Sequence, residues 1–135
     1  MPADVDVAQL RRLLKVGGYA RATLGVVMLL TPGLIGGMWI GADAKRRGVK
    51  ALTRALGIRE LIIGAGAVVA ANEGTQLRRW VEFGMVADAT DAAATFVAVR
   101  HLPRANAVLG VVAASSGAVA GAWLLTQLPE ETPSR

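Results

Sequence analysis

From Ala105 to Leu128 the chain runs 24 residues without a charged side chain. A helix of that length is about 36 Å long, enough to cross a hydrocarbon core of roughly 30 Å. A helix on the surface of a soluble protein keeps a polar face for water, and this stretch has none. In a chain this short it points to a fold that covers the helix with lipid, in preference to a soluble four-helix protein.

Composition supports the same reading. The chain has 135 residues, enough for one domain spanning 1–135, and 53% of them are hydrophobic, yet only 4% are aromatic. The apolar content is small and aliphatic. That composition suits helices whose backbones approach closely in a bilayer.

Three further apolar segments precede it. The expected spans are 16–31, 51–71, 79–99 and 105–128, with no period-two alternation to suggest strands. The fold class is all-α: a four-helix transmembrane bundle with a Pro/Gly break after the first helix. The break is Thr31-Pro32-Gly33, where proline removes a donor and restricts its predecessor. After it comes Leu34–Gly41, too short to span, which reads either as a kinked continuation or as a re-entrant or interfacial turn. Residues 3–15 form an amphipathic piece with Asp4 or Asp6 as its cap, or simply the wet start of the first span. Asn72-Glu73-Gly74 is a helix stop.

The net charge is +5. The cations cluster between the apolar segments, as membrane-boundary residues facing headgroups do, and lack the aromatic interleaving of a nucleic-acid surface. Nucleic acid is therefore not an expected partner; the lipid bilayer is. Four spans put both termini on one side. Six Lys and Arg then stand on that side and seven on the other, which gives no positive-inside bias. Cysteine is absent, so disulfides and thiolate chemistry are excluded. Met1-Pro-Ala-Asp4 lacks a cleavable signal pattern, so the helices themselves are expected to insert the chain.

Charge inside the apolar segments marks the candidate site. Arg21, Arg59, Glu60, Asp88 and Asp91 lie where ionised groups are costly unless paired. Gly84, Asp88, Asp91 and Thr95 are spaced four, three and four apart and share one helix face. Arg59 is the natural partner for an Asp on that face, because a guanidinium can bridge two carboxylates. Arg21 is the second candidate. Arg59 and Glu60 are adjacent, about 100° apart around their helix, and are not expected to point at the same spot. Glu82 is placed to snorkel to headgroups. Asp88, Asp91 and Glu60 are the candidate catalytic carboxylates, since two acids on one face can divide acid and base roles. The other reading is a charge network that fixes helix register.

Gly110, Ala114, Gly117 and Gly121 form a small-residue packing face, for use within the bundle or in a homodimer. His101 sits beside Pro103 in a loop, so no metal site is expected. No cofactor is expected either: phosphate loop, nucleophile elbow and zinc pattern are all missing. Ser115-Ser116 has no base in reach and reads as helix hydrogen bonding.

The segment Arg54-Ala-Leu-Gly57-Ile-Arg59-Glu60-Leu61-Ile-Ile-Gly64, followed a helix later by Asp88-x-x-Asp91, resembles small four-helix bacterial membrane proteins that are loosely DoxX-like. The resemblance runs from about Gly17 to about Leu125. It implies the fold and a multi-pass place in the bacterial inner membrane, and carries no activity with it.

Three function classes follow. The first is a non-enzymatic membrane protein that binds a lipid or quinone-like ligand, or a partner membrane protein, around the polar centre. The second is a small enzyme doing acid–base chemistry on an apolar substrate. The third is a proton-coupled oligomeric transporter. The first is preferred, because the arginines come close to matching the carboxylates in number.

Overall fold

The computed structural model describes residues 6–129, and every regular element among them is helical. In chain order these are α1 (Val7–Leu30), α2 (Pro32–Ile40), a 3₁₀ turn (Gly41–Lys45), α3 (Arg47–Glu73), α4 (Leu77–Val97), a second 3₁₀ turn (Val99–His101) and α5 (Arg104–Gln127).

Local sequence accounts for the ends. Asp6 caps α1, its carboxylate accepting from the Ala8 N–H at 3.2 Å. The alternative cap, Asp4, lies outside the described residues. From Val7 the helix runs unbroken from the basic turns into the apolar ones. It closes where the Thr31 N–H and hydroxyl both donate to the Val27 carbonyl at 2.8 Å. Pro32 opens α2 at a position where its missing N–H costs nothing. Gly74, with φ of +74°, ends α3 in the left-handed conformation that glycine adopts most easily.

The described residues hold five α-helices where four were expected. The difference is α2, the segment after Pro32. Nine residues extend only about 14 Å and cannot cross a bilayer. The last carbonyls of such a helix lack partners within it. Here the Gly41 N–H donates to the Gly37 carbonyl, and Asn106 of α5 adds its amide, donating to Gly37 O at 3.0 Å and Met38 O at 2.9 Å. Gly41, at φ of +73°, then turns the chain against the ring of Pro103.

The four long helices alternate in direction and pack as two close pairs. On α1 and α3, Gly18 faces Gly64 and Gly25 faces Gly57. A β-carbon on Gly18 would lie 2.8 Å from the Gly64 carbonyl, and one on Gly57 would lie 2.8 Å from the Gly25 carbonyl. On α4 and α5, Gly121 lies against the Met85 side chain and Gly117 against Asp88. The pairs share a dry core at the end that carries the α3–α4 turn. Leu10 and Leu14 of α1, Ala70 and Ala71 of α3, Leu77 and Val81 of α4, and Leu128 are buried there.

Elsewhere the outer surface is apolar: Val97 is 81% exposed, Leu30 75% and Val119 69%. Large exposed aliphatic side chains in such number suit lipid rather than water. Helices α1, α3 and α5 are long and apolar enough to cross a membrane. The third expected span, 79–99, corresponds to α4, which is not among them. Arg78, Arg79, Glu82, Asp88 and Asp91 lower its hydropathy.

Candidate functional site

The charged residues meet between the two helix pairs. Arg21 lies between Gly18 and Gly25 on the face of α1 that presses on α3, so its stem starts close to the bundle centre. Its Nη1 donates to Glu60 Oε2 at 2.7 Å, and its Nη2 reaches Asp88 Oδ2 on α4. Arg59 of α3 forms a two-pronged pair with Asp91, Nη1 to Oδ1 at 2.9 Å and Nη2 to Oδ2 at 2.5 Å. Such parallel bonds fix angle as well as distance.

Arg59 also donates to Glu60 Oε1, from Nη2 at 2.9 Å and from Nε at 3.2 Å. This corrects the expectation that the two could not converge. Adjacent side chains leave the helix about 100° apart, but the long arginine stem curves back until both heads meet. The result is a ladder in the order Asp88–Arg21–Glu60–Arg59–Asp91. Its central rung is Glu60, which is only 6% exposed. Both end carboxylates belong to α4, one helical turn apart, so the ladder ties α1, α3 and α4 together. Stranding one of these charges would cost several kcal/mol, on the order of 3–5.

Two guanidiniums face three carboxylates, a formal surplus of one negative charge. Among the described residues Asp91 receives two bonds and Glu60 is bonded on both oxygens, whereas Asp88 is engaged through Oδ2 alone.

Thr95 stands one turn beyond Asp91 and outside the ladder. Its hydroxyl donates to the Asp91 carbonyl at 2.7 Å and accepts from Trp39 Nε1 of α2 at 3.1 Å. Gly84, at the other end of the stripe, is buried near Arg21 and Ile63 with ordinary spacing. The small-residue face of α5 lies on this stripe. Gly110 meets Trp39 and Thr95, Gly117 meets Asp88, Gly121 meets Met85, and Ala114 between them is half-buried. Glu82 sits apart, paired with Arg78 one turn earlier at 3.3 Å.

Two grooves open on the outer surface. One is lined by Ser115, Ser116, Val119, Ala120 and Trp123. The other runs between α4 and α5 past Met85, Ala89, Thr90, Ala118 and Ala122. None of the five ladder residues lines either. His101 is exposed in the second 3₁₀ turn, and among the described residues no three His, Cys, Asp or Glu are placed to hold a metal ion.

Three contributors were missed from the sequence. The glycines of α1 and α3 each repeat at seven residues, a signal visible as 18/25 and 57/64. Asn106 carried only the faint mark of a polar residue in an apolar run. Trp39 reads from the sequence as an interface residue, and its bond to Thr95, which holds α2, was not visible there.

No protein-family profile, curated protein or solved structure matches the chain.

Proposed function

We propose that this is a multi-pass membrane protein of the bacterial inner membrane, crossing with its four long helices, and that it acts by binding rather than by catalysis. The occupant of its polar centre is a lipid or quinone-like molecule, or the polar patch of a partner membrane protein. The observation that carries this reading is the engagement of all three carboxylates by guanidiniums. A carboxylate held by an arginine is a weak base, and Asp91 and Glu60 are held twice. Asp88 Oδ1 is the remaining acceptor, suited to a ligand hydroxyl or amine. Helix α4, too polar to cross alone, is carried into the bilayer by its partners on α1 and α3.

The test is mass spectrometry of molecules that copurify with the detergent-extracted protein, wild type beside Asp88→Asn/Asp91→Asn. A stoichiometric lipid or quinone, lost in the variant, supports the binding site. An empty wild type with a destabilised variant reduces the ladder to a structural brace. A second reading rests on the surplus carboxylate: a site with one uncompensated negative charge suits a proton-coupled transporter. Proton flux into vesicles that stops with Asp88→Asn would favour that reading.

A further inference from the structure

The two ends of the bundle differ in charge once the carboxylates are placed. Lys45, Arg46, Arg47, Lys50 and Arg54 lie on the first 3₁₀ turn and the start of α3. Arg100 and Arg104 come from the α4–α5 connection, which Gly41–Pro103 contact and the Asn106 bonds join to the end of α2. Against these seven cations stands one carboxylate, Asp43, a formal charge of +6. Among the described residues of the opposite end, Arg11, Arg12, Lys15, Arg78 and Arg79 face Asp6, Glu73 and Glu82, a formal charge of +2. The Arg78–Glu82 pair belongs to that end. None of the seven cations pairs with a carboxylate among the described residues.

The basic end is also partly apolar. Leu34 is 63% exposed, Met38 64% and Leu52 68%. The missing side chain of Gly33 leaves room for the Lys50 stem, whose Cε would lie 3.4 Å from a β-carbon there. Cationic heads beside exposed aliphatic side chains match a molecule with an anionic head and an acyl tail, whereas a soluble anion would need only the heads.

We infer that this end is a binding surface for anionic phospholipid headgroups, and that it faces the more anionic leaflet. The inference rests on the membrane-spanning reading above but uses none of the polar-centre residues. Near an anionic surface each of these cations attracts headgroups, an attraction that salt weakens.

The test titrates short-chain phosphatidylglycerol, and short-chain phosphatidylcholine as the uncharged control, into the detergent-solubilised full chain. Wild type should bind the anionic lipid more tightly, by about fivefold for each cation that its headgroup engages. Lys45→Gln/Arg46→Gln/Arg47→Gln/Lys50→Gln should lose most of that preference. Arg100→Gln/Arg104→Gln, a milder change on the other connection, should lose part of it. Arg12→Gln/Lys15→Gln/Arg79→Gln, at the far end, should keep it. Equal binding of both lipids by wild type overturns the inference, as does a far-end variant that loses as much as the basic-end ones. Alkaline washing of vesicles that carry the wild-type chain separates the two readings. Release into the wash defeats the membrane reading itself, whereas retention without anionic preference defeats only the headgroup surface.

Discussion

Gly117 of α5 rests directly on the carboxylate of Asp88, so closely that a β-carbon at position 117 would collide with it. The α4–α5 contact and the end of the charge ladder are thus one place. Gly117→Ala must push α5 away or displace Asp88 from Arg21, and should lower stability by about 1–3 kcal/mol. Combined with Asp88→Ala, which removes the colliding atoms, the cost of the alanine at 117 should fall below half. Thermal unfolding in detergent measures both. Strictly additive effects would show that the two residues do not meet.

Removing Arg59 leaves the half-buried Asp91 without its two-pronged partner. Arg59→Ala should destabilise by roughly 3–5 kcal/mol, and adding Asp91→Asn should restore much of the loss. If the double variant is as unstable as the single one, the pair does not carry the energy assigned to it.

Glycines of α1 should divide sharply. At Gly25 a β-carbon would lie 2.5 Å from both the Gly57 carbonyl and the Leu61 nitrogen, whereas at Gly17 nothing lies within 4 Å. Gly25→Ala should separate α1 from α3 and cost a few kcal/mol, on the order of 1–3. Gly17→Ala should stabilise by about 0.5–1 kcal/mol through helix propensity alone. Unfolding curves of equal midpoint for the two variants would contradict the close packing.

Asn106→Ala should loosen α2 without unfolding the bundle, because it removes a donor to two helix-end carbonyls. The expected cost is about 1–2 kcal/mol. Hydrogen exchange should quicken over residues 32–40 and stay unchanged over α3. Uniform quickening would mean that α2 is held by something else.

The absence of cysteine makes sidedness measurable. Ala42→Cys, on the first 3₁₀ turn, and Thr75→Cys, in the α3–α4 turn, are both exposed and lie at opposite ends of α3. A membrane-impermeant maleimide applied to intact bacteria should label Thr75→Cys and spare Ala42→Cys. Labelling of Ala42→Cys alone would reverse the orientation.

The helical class was legible because charge-free length is a strong constraint: nothing but a buried or lipid-covered helix accommodates Ala105–Leu128. The position of the ladder was legible for a related reason, since ions in apolar runs stand out against their neighbours. Its wiring was not. Periodicity gives the direction in which a side chain leaves its helix, and says little about where the head of a long arginine ends. Arg59 and Glu60 leave in different directions and still meet. The bounds of helix α2 were legible in Pro32 and Gly41. What holds it was not, because Asn106, which donates to two of its carbonyls, is brought near only by the folded chain. The opposed ends, likewise, differ in how the carboxylates are distributed, which a tally of lysine and arginine ignores.

The ladder also sets an order of assembly. In a chain that enters the bilayer N-terminus first, Arg21 arrives before either of its partners. An isolated arginine at the centre of a newly inserted helix costs about 2.5–3.5 kcal/mol. That debt is relieved when α3 brings Glu60 alongside and the glycine seam closes. The α1–α3 pair then presents Arg59 as a socket for Asp91, with Arg21 still able to take Asp88. On the proposed four-span reading, helix α4, which is not among the helices apolar enough to cross a membrane, becomes insertable only at that stage. On that reading its entry is a late, conditional event, and variants that weaken the ladder should be recovered as chains with α4 left outside the bilayer.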